Sequence, residues 1–150
     1  MKMEHQRGFS LAGLLLVVAL LALVVDYGYH IIPVYTVKGT IQNIFRSLAT
    51  HHPDYTQEEV RRKLPEIMRV EYLDPEKDVP EEFFDNLVVV SEDGKMDIST
   101  EYQVEVWPLG MPEPFRDPDV DEEDVELSLF ERLQLKARLV FDFEISAHTP

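Results

Sequence analysis

Cysteine is absent from the 150 residues, so disulfides, thiolate nucleophiles and Cys-ligated metals are excluded. Stability must come from core packing alone. Glycine is scarce, at six residues, and none forms the Gly-rich loop that cradles phosphates. A nucleophile elbow is missing as well. Positive charge is short: 14 Lys and Arg against 29 Asp and Glu, a formal net charge of −15. From Asp26 onward there are 12 basic and 28 acidic residues, a net of −16. So acidic a surface repels phosphate backbones and argues against nucleic acid as a partner.

Charge is missing altogether between Gly8 and Val25. Phe9–Val25 provides 17 apolar or small residues, the lower end of what a helix needs to cross a hydrocarbon layer about 30 Å thick. Tyr27, Tyr29 and Tyr35 follow it and suit an interfacial aromatic belt. Lys2 and Arg7 lie on the short N-terminal side, which predicts a cytoplasmic N-terminus and an exported remainder. A cleavable secretory signal needs small residues just after the apolar run. Leu23, Val25, Tyr27 and Tyr29 fit that poorly, although Ala19 and Ala22 keep the option open. The expected organisation is a leader at 1–8, an anchor and interface at 9–32, and one small domain at 33–150 with a long loop at 107–131.

Pro33 disfavours helix at Ile32 and predicts a kink or break there. Val34, Val37, Ile41, Ile44, Phe45 and Leu48 then recur at helical spacing to about Ala49. Thr56-Gln57-Glu58-Glu59 is a capping box opening a second helix, which Pro65 should end or kink. Arg61-Arg62-Lys63 reads as a solvated basic face, with contact to lipid headgroups or an acidic partner as the sharper reading. Arg69–Leu73 is a candidate short strand, Asp74–Asp78 a turn, and Pro80–Phe84 one helical turn.

Leu87–Val90 reads as a strand and Asp93-Gly94 as a hairpin turn. Met96, Ile98, Thr100, Tyr102, Val104 and Val106 alternate with Asp97, Ser99, Glu101, Gln103 and Glu105, which fixes register. A third strand is expected from Leu133 to Ile145, with Lys136 and Arg138 beside Glu101 and Glu105. The fold class is therefore α+β: a transmembrane helix continuing into an amphipathic helix, packed on a small antiparallel sheet, with a long acidic Pro-rich loop.

That loop, Trp107 to Glu131, contains Pro108, Pro112, Pro114 and Pro118 and an acidic run. Loops of this length are functional or disordered. One reading is a solvated insert. The other is a docking arm, with Trp107, Leu109, Met111 and Phe115 as partner contacts. Asp117-Pro118-Asp119-Val120-Asp121 begins like a calcium loop but fails at Glu122, where Gly is needed, and at Ser128, where a bidentate Glu belongs. Calcium is therefore not expected. His51-His52 adjoin without an evident third ligand. These absences predict no cofactor and no enzyme activity.

Gln6-Arg7-Gly8-Phe9-Ser10-Leu11 resembles the type IV prepilin signal. The resemblance implies a processing junction between Gly8 and Phe9. Gly13 stands where filament formers carry Glu. A longer resemblance runs through Leu14-Leu15-Leu16, Ile32-Pro33-Val34-Tyr35, Glu59 to Leu64, Gly94-Lys95-Met96, Tyr102 to Val106 and Leu139 to Phe143. On these segments the chain is similar to the proteobacterial family called domain of unknown function 4845. The resemblance implies a single-pass protein of the bacterial inner membrane with a pilin-like N-terminus and a small periplasmic domain. The anchor, the acidic surface, the long apolar-studded loop and the lack of catalytic groups point to an accessory module docking on a membrane protein or complex, with a minor pilin or pseudopilin processed between Gly8 and Phe9 as the alternative.

Overall fold

The computed structural model describes residues 10–117, 119 and 125–150. One helix dominates. α1 runs from Leu11 to His51, 41 residues, or about 60 Å at 1.5 Å per residue. Ser10 caps its start, its hydroxyl accepting from the Gly13 N–H at 3.1 Å. Pro33 lies inside α1; of the kink or break expected there, the break does not occur. A proline removes one intrahelical hydrogen bond. The buried stripe that follows, Ile41, Ile44, Phe45, Leu48 and Ala49, holds the helix in register on the sheet.

α2 (Gln57–Val70) opens on the capping box: the Glu59 N–H reaches the Thr56 hydroxyl at 3.3 Å, and the Thr56 N–H reaches the Glu59 carboxylate at 3.0 Å. It passes through Pro65 and buries Val60, Leu64 and Met68. The strand expected at Arg69–Leu73 does not form. Arg69 and Val70 finish α2 because Met68 keeps the helical stripe in the core, and Tyr72 turns the chain with φ 62°. α3 (Glu82–Asp85) is a single turn that inserts Phe83.

The sheet has order β1-β2-β3, all antiparallel, with β1 Val88–Glu92, β2 Lys95–Val106 and β3 Leu139–His148. Asp93 (φ 53°) and Gly94 (φ 72°) make the hairpin turn, the left-handed pair that a two-residue connection requires. Met96, Ile98, Thr100 and Tyr102 point inward from β2, and Phe143 and Ile145 from β3. β3 starts later than expected. Leu133, Leu135 and Ala137 belong instead to α4 (Leu129–Ala137). Lys136 is therefore helical, and Glu101 faces Glu144 across the register rather than a cation. The Arg138–Glu105 pair does form, at 3.7 Å. The long connection contains a 3-10 turn at Glu113–Arg116 before α4.

The protein is thus α+β: a long N-terminal helix, apolar in its first half, whose second half packs on a three-stranded antiparallel sheet. This is a pilin-like arrangement.

Candidate functional surfaces

The first half of α1 is bare. Its most apolar 18-residue window is 0% buried, and the helix is long and apolar enough to cross a membrane. Leu15, Leu21 and Val25 are each exposed by 60% or more, an arrangement that water penalises and lipid does not. Gly8 and Phe9 lie outside the described residues. Tyr27 is half-buried on the bare segment, and Tyr29, beside it, is 77% exposed. Tyr35 also serves the fold, edge-on to Phe141 at 5.8 Å and to Phe143 at 5.7 Å. His30 is engaged locally, its Nδ1 2.8 Å from the Asp26 carbonyl oxygen.

β3 ascends alongside α1. Phe143 lies under the Lys38 ammonium at 4.9 Å, the Gln42 side chain donates to the Ser146 carbonyl at 2.7 Å, and the Thr149 hydroxyl donates to the Ala49 carbonyl at 2.8 Å. Leu139, paired with Val106, therefore marks the end of the sheet nearest the bare half of α1. The predicted contact residues Trp107, Leu109, Met111 and Phe115 leave the sheet at that end.

These residues do not form a free extended arm. Gly110 (φ +82°) turns the chain, its N–H donating to the Trp107 carbonyl at 2.9 Å. Trp107 and Phe115 approach at 6.4 Å between ring centroids, and Pro112 is buried. The Arg138 guanidinium lies 5.4 Å from the Trp107 ring, and Gln134 of α4 donates to the Leu109 carbonyl at 2.9 Å. Trp107, Met111 and Phe115 are half-buried, while Leu109 stays 44% exposed. The Trp107 Nε1 is buried and has no hydrogen-bond partner among the described residues.

Sequence reasoning missed the more exposed apolar group at this end. Leu129 (83%), Phe130 (60%) and Leu133 (57%) project outward from α4. A signal for α4 was available. Ser128 and Glu131 form a second capping box, with Ser128 N–H to Glu131 carboxylate at 2.8 Å and Glu131 N–H to Ser128 hydroxyl at 3.3 Å.

The outer face of the sheet is acidic. Glu101 stands opposite Glu144, and Asp142 opposite Gln103, whose side-chain amide donates to it at 2.8 Å. Among the described residues no three His, Asp or Glu side chains are grouped to hold a metal. Pro118 and residues 120–124, most of the calcium-like segment and its acidic run, lie outside the described residues. Ser128, at the position where a calcium loop carries its bidentate Glu, is the α4 cap. The two adjoining histidines diverge: His51 donates from Nδ1 to the Ser47 carbonyl at 3.0 Å, and His52 stacks on Tyr55 at 4.6 Å.

The basic cluster on α2 is not simply solvated. Arg61 donates to the Leu87 carbonyl at 3.2 Å, and Lys63 binds the Tyr55 hydroxyl at 2.8 Å. The shifted carboxyls are also structural. The Thr56 N–H holds Glu59 below the usual carboxylate range, the Glu76 N–H does so for Asp74, and the Ser128 hydroxyl does so for Glu131. Burial pushes the Tyr102 phenol up to about 12.

Comparison with protein-family models, curated proteins and solved structures finds no match.

Proposed function

We propose that this chain is a non-enzymatic, single-pass protein of the bacterial inner membrane, in the family called domain of unknown function 4845. Its N-terminus lies in the cytoplasm. Its acidic periplasmic domain is an accessory module that docks on a membrane protein or complex. One observation supports this most strongly. The bare apolar half of α1 runs unbroken into the half that carries the core, so the domain is held at a fixed height on its anchor. Such a mount suits a module that must meet a neighbour in the same membrane. Leu109, together with the half-buried Met111 and Phe115, offers an apolar contact at the anchor-side end. Trp107, 6.4 Å from Phe115 between ring centroids, shapes that contact from behind.

Gentle extraction at native expression, after in-membrane cross-linking, tests the reading. A defined partner that is lost on Leu109→Asp is the expected result. A lone monomer at every step refutes it.

The spine-on-sheet architecture also favours a second reading, a minor pilin or pseudopilin cut between Gly8 and Phe9. Mass spectrometry of the protein from its host separates the two. Loss of residues 1–8 with an N-methylated Phe9 supports the pilin reading; an intact Met1 removes it.

A further inference from the structure

The anchor-side end of the domain carries a short helix whose apolar side faces away from the protein. Leu129, Phe130 and Leu133 fall within an arc of about 100° on α4 and are 83%, 60% and 57% exposed. Gln134, one turn beyond Phe130 at the edge of this face, hydrogen-bonds the Leu109 carbonyl, and Leu135 on the opposite side is half-buried. For these three side chains, though not for Leu135, this inverts the usual order for a surface helix, whose apolar stripe faces the core. Charge is inverted too. In a chain of net charge −15, Ser128–Arg138 carries three cations and one acid. Arg138 is held by Glu105 and Trp107, while Arg132 and Lys136 are exposed and flank the apolar face.

The fold sets the height of this helix. Tyr35 stands nine residues beyond Asp26, about 13–14 Å along α1. Tyr35 meets Phe141 at 5.8 Å and Phe143 at 5.7 Å, so its level on β3 falls near Asp142, and Leu139 lies three residues lower, about 10 Å down. The junction of α4 and β3 is therefore about 5 Å above Val25, the last apolar residue of the bare segment. The polar layer of one leaflet is about 5–8 Å thick.

We propose that α4 lies in the bilayer interface as a second membrane contact. Leu129, Phe130 and Leu133 sit among headgroups and upper acyl chains, and Arg132 and Lys136 extend to lipid phosphates. An apolar face, flanking cations that snorkel and placement at headgroup level are the features of an interfacial helix. The proposal rests on the reading that α1 crosses the membrane. With α4 seated, the domain has two points of attachment and cannot rotate freely about α1.

The absence of native cysteine makes the test direct. Val17→Cys, Leu133→Cys and Asp97→Cys are made singly in the full chain and labelled with an environment-sensitive dye. Each is reconstituted in phosphatidylethanolamine–phosphatidylglycerol vesicles containing lipids spin-labelled either at the headgroup or deep in the acyl chain. The expected result is deep quenching at Val17, shallow quenching at Leu133 and none at Asp97, which lies at the far end of β2 opposite His148. Introducing Arg132→Glu and Lys136→Glu together, with the dye at Phe130→Cys, should bring shallow quenching down to the Asp97 level. Water-like signal at Leu133 with deep quenching at Val17 overturns the proposal and leaves the anchor standing. Loss of quenching at both sites overturns the anchor reading and this proposal with it. Shielding of Leu133 that appears only in native membranes, and not in pure lipid, identifies a protein surface instead and also overturns it.

Discussion

Phe83 is the side chain through which α3 joins the core, and removing it is the sharpest test of the fold. It is 0% exposed. Its ring meets Phe84 at 5.0 Å and 85°, Tyr102 at 5.4 Å and 77°, and Phe45 of α1 at 6.1 Å. Its carbonyl accepts from the Thr100 hydroxyl at 2.7 Å, with Thr100 itself 1% exposed. Phe83 thus links helix α1, strand β2 and the turn before β1. Phe83→Ala should cost about 3–5 kcal/mol, from lost transfer energy and the cavity left behind. That is a large share of the roughly 5–15 kcal/mol that stabilises a domain of this size. Thr100→Val keeps the shape but strands the buried Phe83 carbonyl, at about 1–3 kcal/mol. The two residues are joined by that hydrogen bond, so the double variant should depart from additivity by about 0.5–3 kcal/mol. Urea unfolding of the full chain in mild detergent, followed by far-ultraviolet circular dichroism, reads these values. With a slope of about 1.5 kcal/mol per molar urea, Phe83→Ala should lower the midpoint by about 2–3 M. A loss below about 1 kcal/mol would show that α3 does not dock as described and would refute the reasoning.

Tyr102 is 4% exposed and its hydroxyl has no hydrogen-bond partner among the described residues, so Tyr102→Phe should stabilise by about 1 kcal/mol in the same assay. Its folded pKa is raised from 10.0 to about 12. Its contribution is therefore fully present below pH 10, and roughly 3 kcal/mol is lost as pH rises through about 12. A tyrosinate absorbance titration with one late step, missing in Tyr102→Phe, checks this. Thr56→Ala should cost about 1 kcal/mol through loss of the α2 cap. Because the folded Glu59 pKa is lowered by the Thr56 N–H, the cap's carboxylate contribution is present above the usual carboxylate range and fades as pH falls through the folded pKa. The thermal midpoints of wild type and Glu59→Gln should therefore converge in acid. Gly94→Val places a β-branched residue at φ +72° in open space. The cost should be backbone strain of about 1–2 kcal/mol, seen as a lower midpoint with an unchanged slope.

The elements that local chemistry specifies were legible in the sequence. The Thr56–Glu59 box, the Asp93-Gly94 turn and the alternation along β2 each admit one structure. The Met96 to Val106 register followed because a slip by one residue would bury its acids. Misreadings arose where two rules competed. Pro33 argues for a break, but the stripe from Val34 to Leu48 gains more by staying helical than one lost hydrogen bond removes. Pro65 was overridden in the same way by Leu64 and Met68, which carried α2 through the stretch expected to start a strand. At Leu133, Leu135 and Ala137 a period-two pattern runs in phase with the true strand that begins at Leu139. The Ser128-x-x-Glu131 box, the stronger local signal, was masked by that longer pattern. Local spacing cannot show that Leu129, Phe130 and Leu133 face outward. That depends on which side of α4 meets the Leu109 turn, a contact about 25 residues away in sequence that the Gln134–Leu109 hydrogen bond fixes.

The same helix supplies both the membrane-length apolar segment and a large part of the core, and this constrains how the protein can vary. Ile41, Ile44, Phe45 and Leu48 of α1 are buried with Val60 and Leu64 of α2, with Phe83, and with Ile98 and Ile145 of the sheet. The sheet has only three strands, and without the upper half of α1 its inner face would lie open to water. A small sheet of this kind needs a helix against it to be stable. Residues 11–25 touch none of this core and are free to vary as long as they stay apolar. Residues 34–49 must satisfy helical spacing and the shape of the sheet at once. Because the helix is continuous through Pro33, rotation of the anchor turns the whole sheet, and the Leu109 turn and α4 with it. A partner gripping the first half of α1 would thereby reorient the contact surface at the other end of the same rigid element.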